Sequence, residues 1–411
     1  MDEGPVTFHE RVTLTRASRG AVRSRNIAMV YELEGAVDVD ALRAAVRHLV
    51  QRHEAFRTSF VPGGPTGFVR RVHDGVDPLR EREFQDEPEA AAWMRAQMEE
   101  VRSLDEAPLA VAAIARFAED RAYFGVSADH VIADKLSALL AWKELARAYA
   151  DHVDGVAPDD EPAPQPRELV GPNLALVGPV LKDRSTLPPY PEDGYALEGD
   201  ASRPGGLDPT PGVVLVALPG TGQLRRAANA AGVSRGALLV TALTYALREH
   251  ARRPDVGFAV VRSGRTTRRE WDTVAYMVFT DTYRCRAGED ADDDALLTDA
   301  ERFLGDTAPW RRVYNALAAP PTRRILLNLL GPPVVFRLPG VETSERVDLL
   351  PPRELFDVHD LVVQMVEGRR ACSAVVAYRD CRFERATMEA IAATFEATVR
   401  RLVARAEGGE G

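Results

Sequence analysis

The sequence predicts an α/β fold of two similar lobes with a cleft between them. Three observations carry this. Hydrophobic period switches between two and 3.6 residues in both halves of the chain. Stretches rich in proline and acid, Asp151 to Pro166 and Leu187 to Gly212, interrupt the pattern midway. The 411 residues, 45% of them hydrophobic, suffice for two cores of about 150 to 200 residues each. The expected organisation is an N-terminal lobe over 1–170, a linker over 171–212 and a C-terminal lobe over 213–411. Clefts between lobes favour ligands.

The elements follow in order. Ile27, Met29, Tyr31 and Leu33 share one face of a strand over 26–33. Helical period takes over in 39–57, where Leu42, Val46, Leu49 and Val50 form a stripe and Asp40 is placed to cap the start. Trp93 to Leu104 reads as a charged surface helix. Strands over 109–117 and 121–128 flank a polar turn, and a helix runs over 135–150. The second lobe opens with the strand Val213–Leu218. Helices over 221–231 and 234–251 follow, the first ended by Gly232 and the second capped by Ser234. Strands are expected at 256–262, 275–284, 361–366 and 371–378, and a last helix at 384–405.

Composition narrows the function. A net charge of −10 argues against a general nucleic-acid binder, whose phosphate contacts need a basic face. Cys285, Cys372 and Cys381 are odd in number and lack CxxC spacing, so neither a disulfide framework nor a cysteine zinc site is expected, and a reducing cytoplasm fits. The acidic N-terminus has no apolar core of signal-peptide length, and no membrane span is expected.

The chemistry concentrates in Ser127-Ala-Asp129-His130-Val-Ile-Ala-Asp134-Lys135-Leu-Ser137, where a strand ends and a helix begins. A histidine titrates near neutrality and suits general-base work on an attacking amine or alcohol. A histidine near an aspartate at such a junction is also commonly structural, and Asp134 has the alternative of capping the helix. No metal is expected, because HxxxD supplies two ligands at most and His359 and Asp360 lie far off in sequence.

This segment resembles the HHxxxDG motif of nonribosomal peptide synthetase condensation domains, and the HxxxD motif of the wider chloramphenicol-acetyltransferase-like acyltransferases. Other segments match in the family's order. Arg52-His53-Glu54-Ala55-Phe56-Arg57-Thr58-Ser59-Phe60 is similar to RHExLRTxF, and Ala41 to Val50 to the helix before it. Val260 to Arg265 is similar to the short strand ending in Gly-Arg, and Val278 to Arg286 to FFVNTLPLR. Asp360 to Tyr378 resembles the late hairpin. The resemblance implies two acetyltransferase-like lobes in a V-shaped pseudo-dimer, crossed by a tunnel that a phosphopantetheine arm enters from each side. The residue where the tunnels meet carries over to His130, and the motif aspartate to Asp134, in a structural ion pair here expected with Arg265.

The departures are specific. The first motif histidine is Asp129, the motif glycine is Lys135, and the asparagine of FVNT is Asp281. Lys135 would line the tunnel, narrowing it or binding an anionic substrate. No SxAQ-type motif is found near residues 8–20. Asp129, Asp134 and Ser137 also fit DxxxxDxxS, the signature of heterocyclisation domains, but that group's late Gln-Thr-Pro-Gln-Val segment is not found.

The expectation is therefore a stand-alone condensation-type acyltransferase that works as a monomer. It would take an acyl group from a pantetheine thioester, on a separate carrier protein or on CoA, to a small-molecule amine or hydroxyl. His130 would act as base or positioner, and Ser137 or a backbone N–H would stabilise the anionic tetrahedral state. No cofactor is expected to be bound, the phosphopantetheine being the substrate's arm, and neither nucleic acid nor membrane is an expected partner. Alternatives are a non-catalytic relative that recruits other enzymes, and heterocyclisation.

Overall fold

The computed structural model describes residues 2–18, 26–65, 67–183, 185, 187, 197–203, 205, 211–317, 324–329, 334–350, 359–367 and 371–408. Part of the predicted linker over 171–212 lies outside them. The fold is mixed α/β, and contacts divide the chain into two compact units. The first comprises Met1–Leu176, Gly264–Val278 and Val334–Pro352, and the second Val177–Ser263, Phe279–Pro333 and Arg353–Gly411.

The chain begins with β1 (Asp2–Pro5), α1 (Phe8–Ala17), β2 (Asn26–Gly35) and α2 (Val39–Arg52). It continues through β3 (Thr58–Pro62), β4 (Phe68–Val72), β5 (Leu79–Glu83) and α3 (Glu87–Glu99). Then come β6 (Ala110–Arg116), β7 (Arg121–Asp129), α4 (Lys135–Val153) and α5 (Val170–Lys182). The second half runs β8 (Pro211–Leu218), α6 (Thr221–Ala230), α7 (Arg235–Ala251), β9 (Gly257–Ser263) and α8 (Arg268–Trp271). It then passes through β10 (Val278–Arg284), α9 (Asp293–Gly305), α10 (Pro309–Leu317), β11 (Arg324–Asn328) and β12 (Val341–Glu345). β13 (His359–Glu367), β14 (Cys372–Arg379) and α11 (Arg385–Gly408) complete it.

In the first unit a five-stranded sheet has the order β12-β2-β7-β6-β5, and a small sheet the order β1-β4-β3. β2 and β7 are antiparallel over nearly their full length, with Asn26 opposite Asp129. Met29, Tyr31 and Leu33 enter one core with the buried stripe of α2 and with Trp142 and Leu145 of α4. Val30 enters a second core with Ala90, Met94 and Met98 of α3, so both sheet faces are covered. An aromatic knot locks the late segment onto the unit. The Phe336 ring lies 4.6 Å from Trp142 and 5.4 Å from Tyr31. Such ring pairs add about 0.5–1.5 kcal/mol each beyond area burial.

In the second unit the six-stranded sheet has the order β10-β9-β11-β13-β14-β8. β9, β11 and β13 run parallel, while β13, β14 and β8 run antiparallel. Its core gathers buried residues of α6, α7, α9 and α11 on one sheet face. Ser234 caps α7 as expected, and Gly232, at φ +65°, takes the left-handed conformation that ends α6.

Four expectations are corrected. Asp38, not Asp40, caps α2, accepting the Ala41 N–H, because the helix begins at Val39, two residues earlier than a cap at Asp40 would place it. The helical period over 39–57 breaks at His53, which is extended, and a 3-10 turn follows. The helix expected from Trp93 to Leu104 is the later part of α3, ends at Glu99, and buries Met94 and Met98 rather than lying on the surface. The strand expected at 275–284 starts only at Val278, because the backbone of Ala275 and Met277 is bonded elsewhere. Among the described residues, no single helix is long and apolar enough to cross a membrane.

Candidate functional site

The central strand β7 ends at Asp129, His130 follows it directly, and four residues further on Asp134 caps the start of α4. The turn between them is held by its own side chains. Asp129 is buried, and its Oδ1 accepts the Val131 N–H at 2.9 Å. His130, half-buried, places Nδ1 2.8 Å from the Ala133 carbonyl oxygen. A carbonyl only accepts, so Nδ1 carries the hydrogen and the neutral ring keeps its lone pair at Nε2. Tyr276 meets the His130 ring edge-on, with centroids 5.0 Å apart and an interplanar angle of 89°.

Asp134 is fully buried, and every one of its contacts is structural. Oδ1 accepts from the Ser137 N–H at 2.9 Å, capping α4, and lies 3.0 Å from the Ser137 hydroxyl. Oδ2 accepts from Arg265 Nη1 at 2.5 Å and from the Met277 N–H at 2.9 Å. The expected pair with Arg265 is thus present, with both side chains fully buried. Arg265 also donates through Nε to the Glu270 carbonyl and through Nη2 to Ser137 Oγ and the Ala275 carbonyl. The planar fork of arginine suits such divergent fixed acceptors.

This knot changes the reading of Ser137. Its oxygen accepts from Arg265 and from the Ala275 N–H, and its one proton is shared between Asp134 Oδ1 and the Ala275 carbonyl. No hydrogen remains for a developing oxyanion, so the expected stabilising role does not fit, and the hydroxyl is part of the clamp.

The segment 264–277 reaches this knot through a close backbone approach. The Gly264 N–H donates to the Met277 carbonyl at 2.7 Å, and a Cβ at Gly264 would stand 2.5 Å from that oxygen. Lys135 is half-buried at the first position of α4. Burial lowers its pKa, while attraction to Glu345 opposes the shift. An apolar cavity of about 40 Å³ lies under α4, bordered by Ala133, Ser137, Trp142, Met29 and Phe56.

Asp281 belongs to the second unit, and all its side-chain partners are there. Arg262 donates to it at 2.7 Å and Arg311 at 3.2 Å, yet burial holds its pKa above the ordinary carboxylate value. Asp360 likewise pairs within the second unit, with Arg379 and Arg382. Among the described residues no cluster of His, Cys, Asp or Glu is arranged to hold a metal ion. Tyr276 and the Ala133 carbonyl were not identified from sequence. Tyr276 was hidden in an apolar run read as strand, and a backbone carbonyl leaves no trace in residue type.

Comparison with known proteins gives concordant results. The Condensation domain family model matches residues 6–166. Tyrocidine synthase 3 of Brevibacillus parabrevis is 32% identical over 150 residues, which is 36% of this chain and 2% of that protein, so the chain corresponds to a small part of its relative. The X-domain solved in complex with OxyB from teicoplanin biosynthesis superposes with a TM-score of 0.75 at 19% identity, covering 99% of this chain and 94% of that one. The first condensation domain of the CDA synthetase gives 0.74 at 17% identity, covering 98% and 96%.

Proposed function

We propose that this condensation-domain-like chain is a condensation-type acyltransferase of nonribosomal peptide or related secondary-metabolite biosynthesis. It works as a monomer in the cytoplasm. The donor is an acyl thioester on the phosphopantetheine arm of a carrier protein, or on CoA. The acceptor is a small-molecule amine or alcohol.

The reading rests chiefly on one observation: the Ala133 carbonyl fixes the hydrogen on His130 Nδ1 and leaves Nε2 as the basic atom of a half-buried ring. As the acceptor N–H or O–H attacks the thioester carbonyl, Nε2 takes its proton. The C–N or C–O bond forms and the C–S bond breaks. The protonated imidazole then returns the proton to the leaving thiolate, leaving the phosphopantetheine arm on its carrier protein or CoA as the free thiol. Asp134, Arg265 and Ser137 position the turn and do not touch the reacting atoms. Asp281 supports the second unit's arginine cluster, and Lys135 lines the substrate passage.

A second reading is recruitment without catalysis. It is favoured by the likeness to an X-domain solved bound to OxyB, and by Asp129 and Lys135 at two motif positions. Heterocyclisation is a third, and loss of water in the product mass would mark it. The test is to delete the gene in its host, complement with wild type or His130→Ala, and compare extracted metabolites by mass spectrometry. Acyl transfer through His130 predicts that only wild type restores the missing product. Equal restoration by a folded His130→Ala protein overturns it in favour of recruitment.

A further inference from the structure

Arginine carries nearly all the positive charge of this chain. Of its 52 basic residues three are lysine: Lys135, Lys143 and Lys182. Lys143 and Lys182 are exposed, whereas Lys135 is half-buried where the His130 turn enters α4. It stands two positions after Ala133, whose carbonyl holds the His130 ring, and directly after Asp134.

Lys135 sits where a cation is disfavoured on three counts. Burial takes water from its ammonium. It makes no hydrogen bond or ion pair with any described residue. It occupies the first position of α4, the end of a helix that repels positive charge. The neighbouring acids do not relieve this. Asp134 has both oxygens committed to Ser137, Arg265 and Met277. Glu345 of β12 is exposed and attracts Lys135 from beyond ion-pair distance, so burial still holds the ammonium's pKa down. Arg265, buried on the same knot, is by contrast supplied with a carboxylate, a hydroxyl and backbone carbonyls.

A charge held against local physics without a partner marks a functional position. The missing group is an anion. An ammonium is a compact point charge with three donors, suited to one carboxylate in a confined space, where the fork of arginine needs more room. The resembling motif has glycine at this position and so has no cation to offer.

We propose that Lys135 binds a carboxylate on the small-molecule acceptor, so that the acceptor is an amino acid or hydroxy acid whose carboxyl group is free. Lys135 sets specificity and takes no part in proton transfer. Held by its carboxylate, the acceptor presents its amine or hydroxyl to His130 Nε2. The acceptor's role rests on the acyl-transfer reading, whereas the carboxylate contact does not.

The experiment reads the ammonium directly. The full chain labelled with ¹³C,¹⁵N-lysine shows its three lysine side chains by NMR, and Lys135→Met assigns the signal of Lys135. That variant should fold, because it removes a charge that burial disfavours. Lactate and acetate are titrated against lactamide and acetamide, with chloride holding ionic strength constant. The carboxylates should move the Lys135 signal saturably and leave Lys143 and Lys182 in place, and the amides should move none of the three. A Lys135 signal that responds to lactate no more than to chloride overturns the proposal, as does equal movement of all three lysines. Once the acceptor is in hand, Lys135→Met should raise its KM by about ten- to a hundredfold with kcat held, the effect of losing one charge-assisted hydrogen bond. The amide of the same acceptor should show one KM in both proteins. A wild type that takes acid and amide with equal KM overturns the proposal. A lactate shift beside a His130→Ala protein as active as wild type sinks acyl transfer through His130 and leaves the carboxylate contact standing. Product lost in His130→Ala without any lactate shift does the reverse.

Discussion

Replacing Arg265 by Met removes the cation from beneath the His130 turn and leaves Asp134 behind. Both side chains are fully buried, so water cannot solvate the abandoned carboxylate. Asp134 keeps the N–H groups of Ser137 and Met277 and loses its ion pair with Arg265. The carbonyls of Glu270 and Ala275 and the hydroxyl of Ser137 each lose a donor. Removing one partner of a buried ion pair costs about 3–5 kcal/mol, against a total stability of about 5–15 kcal/mol for a typical protein. Urea unfolding followed by tryptophan fluorescence measures it, since Trp142 lies in the first unit's core. The double variant Asp134→Asn with Arg265→Met should lose less than the sum of the singles, with a coupling of about 2 kcal/mol or more, because no buried charge is then abandoned. An Arg265→Met midpoint within about 1 kcal/mol of wild type would refute the clamp.

Further outcomes follow from the same geometry. Gly264→Ala sets a methyl 2.5 Å from the Met277 carbonyl and should cost about 1–3 kcal/mol in the same urea assay. Ser137→Ala strips an acceptor from the Ala275 N–H and from Arg265; it should cost about 1–3 kcal/mol, a loss visible without any substrate. Burial first, then Arg52, lowers the His48 pKa from 6.5. The unfolded chain then binds more protons than the folded one just below pH 6.5. Stability due to His48 is present above that pH and lost as pH falls through it, and His48→Gln should flatten that part of the urea-midpoint profile. Lys135→Met removes a charge that burial disfavours and should raise the urea midpoint.

Much of the fold was legible because local period and burial agree. The alternation Met29, Tyr31, Leu33 and the stripe Leu42, Val46, Leu49 stand on the faces that enter the core. Ser234 and Gly232 bound their helices through local capping chemistry. The failures share a cause. β12, Val-Glu-Thr-Ser-Glu, carries no strand signal of its own and forms by pairing with β2. Ala275 to Met277 reads as strand by composition, yet its amides serve Ser137 and Asp134, more than 130 positions away. The Asp134–Arg265 pair was visible only through the order of segments shared with a family.

The most direct measurement of the central claim uses purified protein. The precursor that accumulates in the gene deletion is supplied with the host's acyl-loaded carrier protein, and loss of the acyl group from the carrier is followed by intact-protein mass spectrometry. The account predicts turnover by wild type, and a rate lower by about 10²–10⁴-fold for His130→Ala with unchanged urea unfolding. A His130→Ala protein that matches wild type would contradict it, and would leave Asp129 and His130 as parts of a binding surface rather than of a catalytic one.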